Sequence, residues 1–179
     1  MISRLLIEHD HIQRTLNLLE MQFLEVCRGE TPDYSIMLSI VVYIQEYPEQ
    51  THHPLEDAVY SILLRRGGEE GKLARELIKD HTELEGITRR LRGSLEVIAS
   101  KGICNKEELQ RELSNFLARQ RRHLHAEEMN IYPLIKAVVT DRDWQAIAST
   151  VPHRDDPVFG ERTRSDYERL YREIESRNG

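Results

Sequence analysis

The chain repeats its own polar pattern, and that repeat limits what it can fold into. "LIEHDHI" around His9 matches "IKDHTEL" around His81 at an offset of 72 residues, and "HHPLED" from His52 matches "HLHAEE" from His123 at an offset of 71. Each half therefore carries one histidine on a first amphipathic segment and an HxxxE pair on a second: His9 with His52 and Glu56, then His81 with His123 and Glu127. Residues four apart on a helix stand on one face, so each pair can share a target. Two helical hairpins related by a pseudo-twofold bring all six side chains to one level.

The apolar spacing supports such hairpins. Leu5, Ile12, Leu16, Leu19, Phe23 and Val26 recur at helical intervals and predict a first helix over residues 2–28, ended by Gly29. Thr31 as N-cap, with Pro32 at the first helical position, opens a second helix to about residue 66, kinked or broken near the histidines by Pro48 and Pro54. After the turn "RRGGEEG" a third helix is expected over 69–100. Asn105, with Glu108 three residues on, caps a fourth that runs to about 139. The expected fold is all-α: an antiparallel up-down-up-down four-helix bundle over residues 1–140, with a C-terminal helical tail over 141–179. The tail reads as a short helix in "TDRDWQAIAST", a Pro-rich loop and a final helix over 161–177. The stripe of Tyr167, Leu170, Tyr171 and Ile174 on that helix should pack on the bundle or on a partner chain, which would make a homo-oligomer.

Composition narrows the function. At 179 residues the chain buries a core without disulfide or metal staples, so any metal is expected to be functional. A net charge of -6 argues against a nucleic-acid binder, and "RQRR" at 119–122 reads as a solvated helix face. Cys27 and Cys104 form no CxxC pair and read as reduced thiols. The N-terminus lacks a signal-peptide apolar core, and the longest apolar run, "IMLSIVVYI", is too short to span a bilayer. The expectation is a cytoplasmic protein with neither nucleic-acid nor membrane partners.

A buried ring of four imidazoles and two carboxylates is costly unless a cation compensates for the lost solvation. Nitrogen and carboxylate donors without thiolate suit iron or manganese in a carboxylate-bridged pair, and the repeat favours two ions over one. His9, His52, His81 and His123 are the candidate terminal ligands, with Glu56 and Glu127 as bridges. Glu85, four residues after His81, shares its face and is a further candidate. His11, His53, Glu8, Asp10, Asp57 and Glu128 flank these positions and read as supporting partners or surface groups. His125 and His153 have no assigned role. One such histidine or one HxxxE pair would be ordinary; the repeated constellation is what argues for metal.

The order His, HxxxE, His, HxxxE, with the wording "YPEQTHHPLED" and "HAEEMNIYPL", resembles the haemerythrin-like (HHE cation-binding) family over roughly residues 1–140. The resemblance implies a four-helix bundle with a non-haem di-iron centre, two iron ions, that reacts with dioxygen, nitric oxide or peroxide. In some members it implies a role in iron sensing or iron–sulfur repair. The pattern departs from the oxygen carriers, which have a second histidine where Glu85 follows His81 and an aspartate at x4 spacing where Glu127 follows His123. A more carboxylate-rich shell should favour the ferric state, which argues against reversible oxygen transport and toward bacterial members linked to oxidative or nitrosative stress. Two other readings stay open: an iron- or oxygen-responsive regulatory module without turnover, and a structural helical protein whose histidines hold nothing of consequence.

Overall fold

A computed structural model describes residues 2–102, 104–152 and 154–177, and every regular element among them is helical. Helix α1 spans Ile2–Cys27 and ends where Gly29, at φ 76°, turns left-handed, so that the Gly29 and Glu30 N–H groups reach back to the carbonyls of Val26 and Glu25. Helix α2 spans Tyr34–Glu46. Its N-cap is Asp33, not Thr31: the Asp33 carboxylate accepts from the Ser35 and Ile36 N–H groups, both at 3.1 Å.

The expected kink near the histidines takes the form of a π-helical turn, Pro48–His52, which leads without a break into α3, His53–Arg66. Pro54, at the start of α3, cannot donate and its ring crowds the carbonyl four residues back. The backbone widens, and the His53 N–H reaches five residues back to the Pro48 carbonyl. Helix α4, Gly68–Lys101, follows after a two-glycine corner. Helix α5, Lys106–Ala126, is capped by the Asn105 side chain on the Glu108 N–H. A second π turn, Glu127–Ile131, precedes α6, Tyr132–Val138, and again a proline, Pro133, stands at the start of the new helix. The repeat in sequence is thus a repeat in backbone irregularity.

Helices α2 and α3 pack on α4, α4 on α5, α5 on α1, and α1 on α2. The apolar interior falls into two clusters. One holds Leu16, Leu19, Met37, Ile40, Leu91, Leu95 and Phe116, and the other holds Leu5, Val59, Leu63, Leu77, Ile131 and Ile135. Between them lies a polar layer that includes His9, His52, Glu56, His81, His123 and Glu127. No helix of the described residues is long and apolar enough to cross a membrane. Cys27 and Cys104 are free thiols.

The C-terminal segment continues with α7, Asp141–Thr150, closed at its N-terminus by a capping box of Thr140 and Asp143. The final helix is shorter than expected. A 3-10 turn, Ser165–Tyr167, leads into α8, Glu168–Glu175, while the preceding residues stay non-helical because the Arg164 N–H bonds the Pro157 carbonyl. Tyr167, Leu170 and Ile174 are buried, and α8 packs on α1 and α2 of the same chain. Asp156 anchors the intervening loop, accepting from the Tyr43 hydroxyl at 3.0 Å and from the Val158 and Phe159 N–H groups at 2.8 and 3.0 Å. Asp156→Ala leaves these donors buried without an acceptor. It should cost about 2–4 kcal/mol, read as a lower urea midpoint with the metal content unchanged.

Candidate metal centre

All six repeat residues meet in the polar layer. His9 comes from α1, His81 from α4 and His123 from α5; His52 ends the first π turn, Glu56 is on α3, and Glu127 opens the second π turn. Each is at most 3% exposed. Glu56 lies 3.7, 3.5 and 3.4 Å from the Nε2 atoms of His9, His52 and His81, and Glu127 lies 3.3, 3.3 and 3.1 Å from those of His9, His81 and His123. Each glutamate therefore meets both first-helix histidines and the histidine of its own HxxxE pair. That is the arrangement a bridging carboxylate needs.

The outer face of each ring is held as well. Nδ1 of His9 bonds Glu128 at 2.9 Å, that of His52 bonds Glu8 at 2.7 Å, and that of His81 bonds Asp57 at 2.7 Å; Nδ1 of His123 faces Asp80 at 3.7 Å. The pairing obeys the repeat, since Glu8 corresponds to Asp80 and Asp57 to Glu128. A carboxylate bonded behind His9, His52 and His81 fixes the tautomer and directs Nε2 inward, the support that metal-ligating histidines commonly have, while Asp80 stands farther behind His123. Further bonds hold these carboxylates: Tyr47 and Arg4 donate to Glu8, and Arg119 to Asp80. The "RQRR" segment is thus partly engaged rather than merely solvated. Two tyrosines cross between the halves of the repeat, the Tyr60 hydroxyl donating to Glu127 at 2.6 Å and the Tyr132 hydroxyl to Glu56 at 2.5 Å.

Electrostatics and unsatisfied atoms test whether a cation fits. Burial alone would lower the histidines, but the Glu127 and Glu56 carboxylates push His9 up to about 10. Asp57 and the two glutamates push His81 up to about 12, and Glu127 and Asp80 push His123 up to about 9, again against burial. Burial and Glu127 push Glu56 up, yet His52, His81 and His9 hold it below the usual carboxylate range. Without metal, protons on His9, His81 and His123 do the work a cation would do. Even so, His52 Nε2, Glu56 Oε2, both nitrogens of His123, Glu127 Oε2 and His53 Nδ1 are buried with no hydrogen bond among the described residues. Apart from His123 Nδ1, which faces Asp80, buried polar atoms left in this way suit metal coordination.

Glu85 does not join this cluster, and His53 does. Donor atoms of His53, Glu56, His81 and His123 lie within 4.8 Å of one another, as do those of His9, His52 and Glu56. His53 stacks on the His81 ring with centroids 4.1 Å apart and planes at 3°. Glu85 stands just over a helical turn beyond His81, about 6 Å along the axis, where it raises the charge cost of Glu49. Sharing a face with a ligand is not sharing its level. Of the other flanking residues, Glu8, Asp57 and Glu128 support the rings. His11 turns away to bond Asp156 at 3.3 Å, Asp10 and His125 are exposed, and His153 lies outside the described residues. Asp80, Tyr60 and Tyr132 were not singled out from the sequence, although the offset linking Glu8 to Asp80 was available there.

Burial pushes Glu49 up to about 7, with the Glu85 carboxylate adding to it and the nearby Thr88 and Arg89 side chains acting against it. A carboxyl whose folded pKa is raised contributes stability at low pH and loses it as pH rises through about 7. Glu49→Gln should therefore raise Tm above pH 7 by several degrees and leave it unchanged near pH 4, read by thermal denaturation across that range.

An open groove of about 420 Å³ on the surface is lined by His9 and its outer partner Glu128, with Asp10, Gln13, Arg121 and His125. Searches of curated proteins and of solved structures returned no match. The model of the Hemerythrin HHE cation binding domain matches residues 1–135, the span that supplies every histidine and glutamate of the cluster. The chain belongs to the hemerythrin HHE cation-binding family, and its buried histidine and glutamate cluster can hold a metal.

Proposed function

We propose that the chain is a non-haem di-iron protein that reacts with a small oxidant, peroxide, dioxygen or nitric oxide, in oxidative or nitrosative stress or iron homeostasis in the cytoplasm. The helices are read as an antiparallel up-down-up-down bundle over residues 1–140, with residues 141–179 as its C-terminal tail. One observation carries the proposal: two buried glutamates each meet histidines from both halves of the repeat, with inward Nε2 atoms held by outer carboxylates. Two ions suit that pseudo-symmetry. His9, His52 and Glu56 would hold one, and His53, His81 and His123 with Glu127 the other, the glutamates bridging.

Bound iron would supply a Lewis-acidic, redox-active centre for electron transfer to the oxidant. The chain's own residues do the rest. Glu8, Asp57, Asp80 and Glu128 keep the rings oriented, and Tyr60 and Tyr132 fix the bridging glutamates. The apolar clusters on either side exclude water, while the groove beside His9 has room for a small molecule. An imidazole, His53, stands with His81 in the layer, so the number of carboxylates there does not by itself speak against oxygen carriage. Reactivity must therefore decide. Protein expressed with iron should contain two irons per chain. Stopped-flow mixing of the reduced protein should show peroxide consumed or nitric oxide taken up, with one-way oxidation in air. Oxygen taken up and released again on lowering its pressure would favour carriage, and inertness toward all three would favour the regulatory reading.

A further inference from the structure

We propose that Tyr132 is itself a metal ligand, a phenolate donor to the ion held by His9 and His52. The inference rests on the di-iron reading above and adds a residue to it. The Tyr132 hydroxyl oxygen lies 2.7 Å from His9 Nε2 and 2.5 Å from Glu56 Oε1. Donor atoms about 2.0–2.2 Å from one ion and at right angles to each other lie about 3 Å apart. The phenol oxygen therefore stands where a neighbouring vertex of the same coordination shell would be, because the His9 nitrogen beside it is an inward-facing donor. Tyr60 differs: its hydroxyl meets the carboxylates alone, Glu127 at 2.6 Å and Glu56 at 3.3 Å.

Two further observations favour Tyr132. The histidines divide unevenly, with His9 and His52 on one side and His53, His81 and His123 on the other. A phenolate on the two-histidine side makes the protein donors equal in number. The second π turn supplies the aim. Tyr132 follows Glu127 by five residues, and its N–H bonds the Glu127 carbonyl, so the widened turn stacks it over that residue. Tyr60 follows Glu56 by four in an ordinary helix. On binding, the Tyr132 O–H bond is replaced by an oxygen–metal bond and one proton leaves to the buffer.

Ferric iron bound by a phenolate absorbs visible light through a ligand-to-metal charge transfer that resonance Raman assigns to tyrosine ring modes. The test loads the full chain with iron, measures iron per chain, and records both spectra for the wild type, Tyr132→Phe and Tyr60→Phe. The expected result is a tyrosinate signature in the wild type and Tyr60→Phe, and its loss in Tyr132→Phe with retention of one iron weakened by more than about tenfold. Wild-type protein that holds two irons without the signature, or a signature lost in Tyr60→Phe instead, would overturn the assignment and leave the di-iron reading standing. Failure of the wild type to hold iron would overturn both. If Tyr132→Phe does not fold, the signature kept or lost in Tyr60→Phe, read beside the wild type, decides.

Discussion

Glu56→Ala and Glu127→Ala should each reduce the iron content of the chain below two, whereas Glu85→Ala should leave it at two. Each of these glutamates faces three imidazole nitrogens at 3.1–3.7 Å from both halves of the repeat, so on the proposed di-iron reading its removal takes away the group that would link the two ions. Loss of a supporting partner typically costs about 10–100-fold in metal affinity. A bridge should cost more, and the difference separates the two classes of acid. Asp57→Ala and Glu128→Ala, which release the outer nitrogens of His81 and His9, should weaken retention within that range yet still reach two irons at saturation. Metal analysis after gel filtration at fixed iron checks the whole series. Equal losses at Glu56, Glu85, Asp57 and Glu128 would mean that the cluster is not the site.

Stripping the metal should lower Tm at neutral pH by about 8–16 °C. Free metal at 1,000 times its dissociation constant stabilises the folded state by about 4 kcal/mol, and in a chain of this size each kcal/mol moves Tm by about 2–4 °C. The gap should widen with pH. In the metal-free chain His9, His81 and His123 keep their protons at neutral pH because carboxylates surround them, with pKa values pushed up to about 10, 12 and 9. Groups whose folded pKa is raised contribute stability below their unfolded value, near 6.5, and that stability is lost as pH rises through 9 to 12. The metal-loaded chain does not rely on those protons. Its Tm should therefore hold at pH 9–10 while that of the stripped chain falls, and loading near pH 7.5 should release protons, measurable by calorimetry in buffers of different ionisation enthalpy. A Tm indifferent to metal would show that these side chains hold no ion.

The conflict between local pattern and burial is sharpest at the two HxxxE pairs. A helix gains nothing by placing His52, Glu56, His123 and Glu127 on its inward face, and burial of these groups without a partner is unfavourable. Their presence at matching offsets in two amphipathic halves made the site visible in the bare sequence. The outer partners were visible to a lesser degree. Glu8, Asp57 and Glu128 adjoin ligands in sequence, and the repeat relates Asp80 to Glu8 by the same offset that relates His81 to His9.

What the sequence determined by itself was periodicity: an all-helical chain, the starts and stops at Gly29, Asn105 and the glycine corner after Arg66, and six of the clustered side chains. Periodicity says which face a residue occupies. It says nothing of how far along the axis that face meets its neighbours, so Glu85 stood as a further candidate and His53 only as a residue flanking the others. Tertiary structure sets their levels: the π turn at Pro48–His52 leaves His53 stacked on His81 from across the interface with α4, while Glu85 falls a turn beyond, beside Glu49. The same holds for Tyr132. Its spacing of five from Glu127 is off-register in an α-helix and becomes in-register only once the backbone widens by one residue.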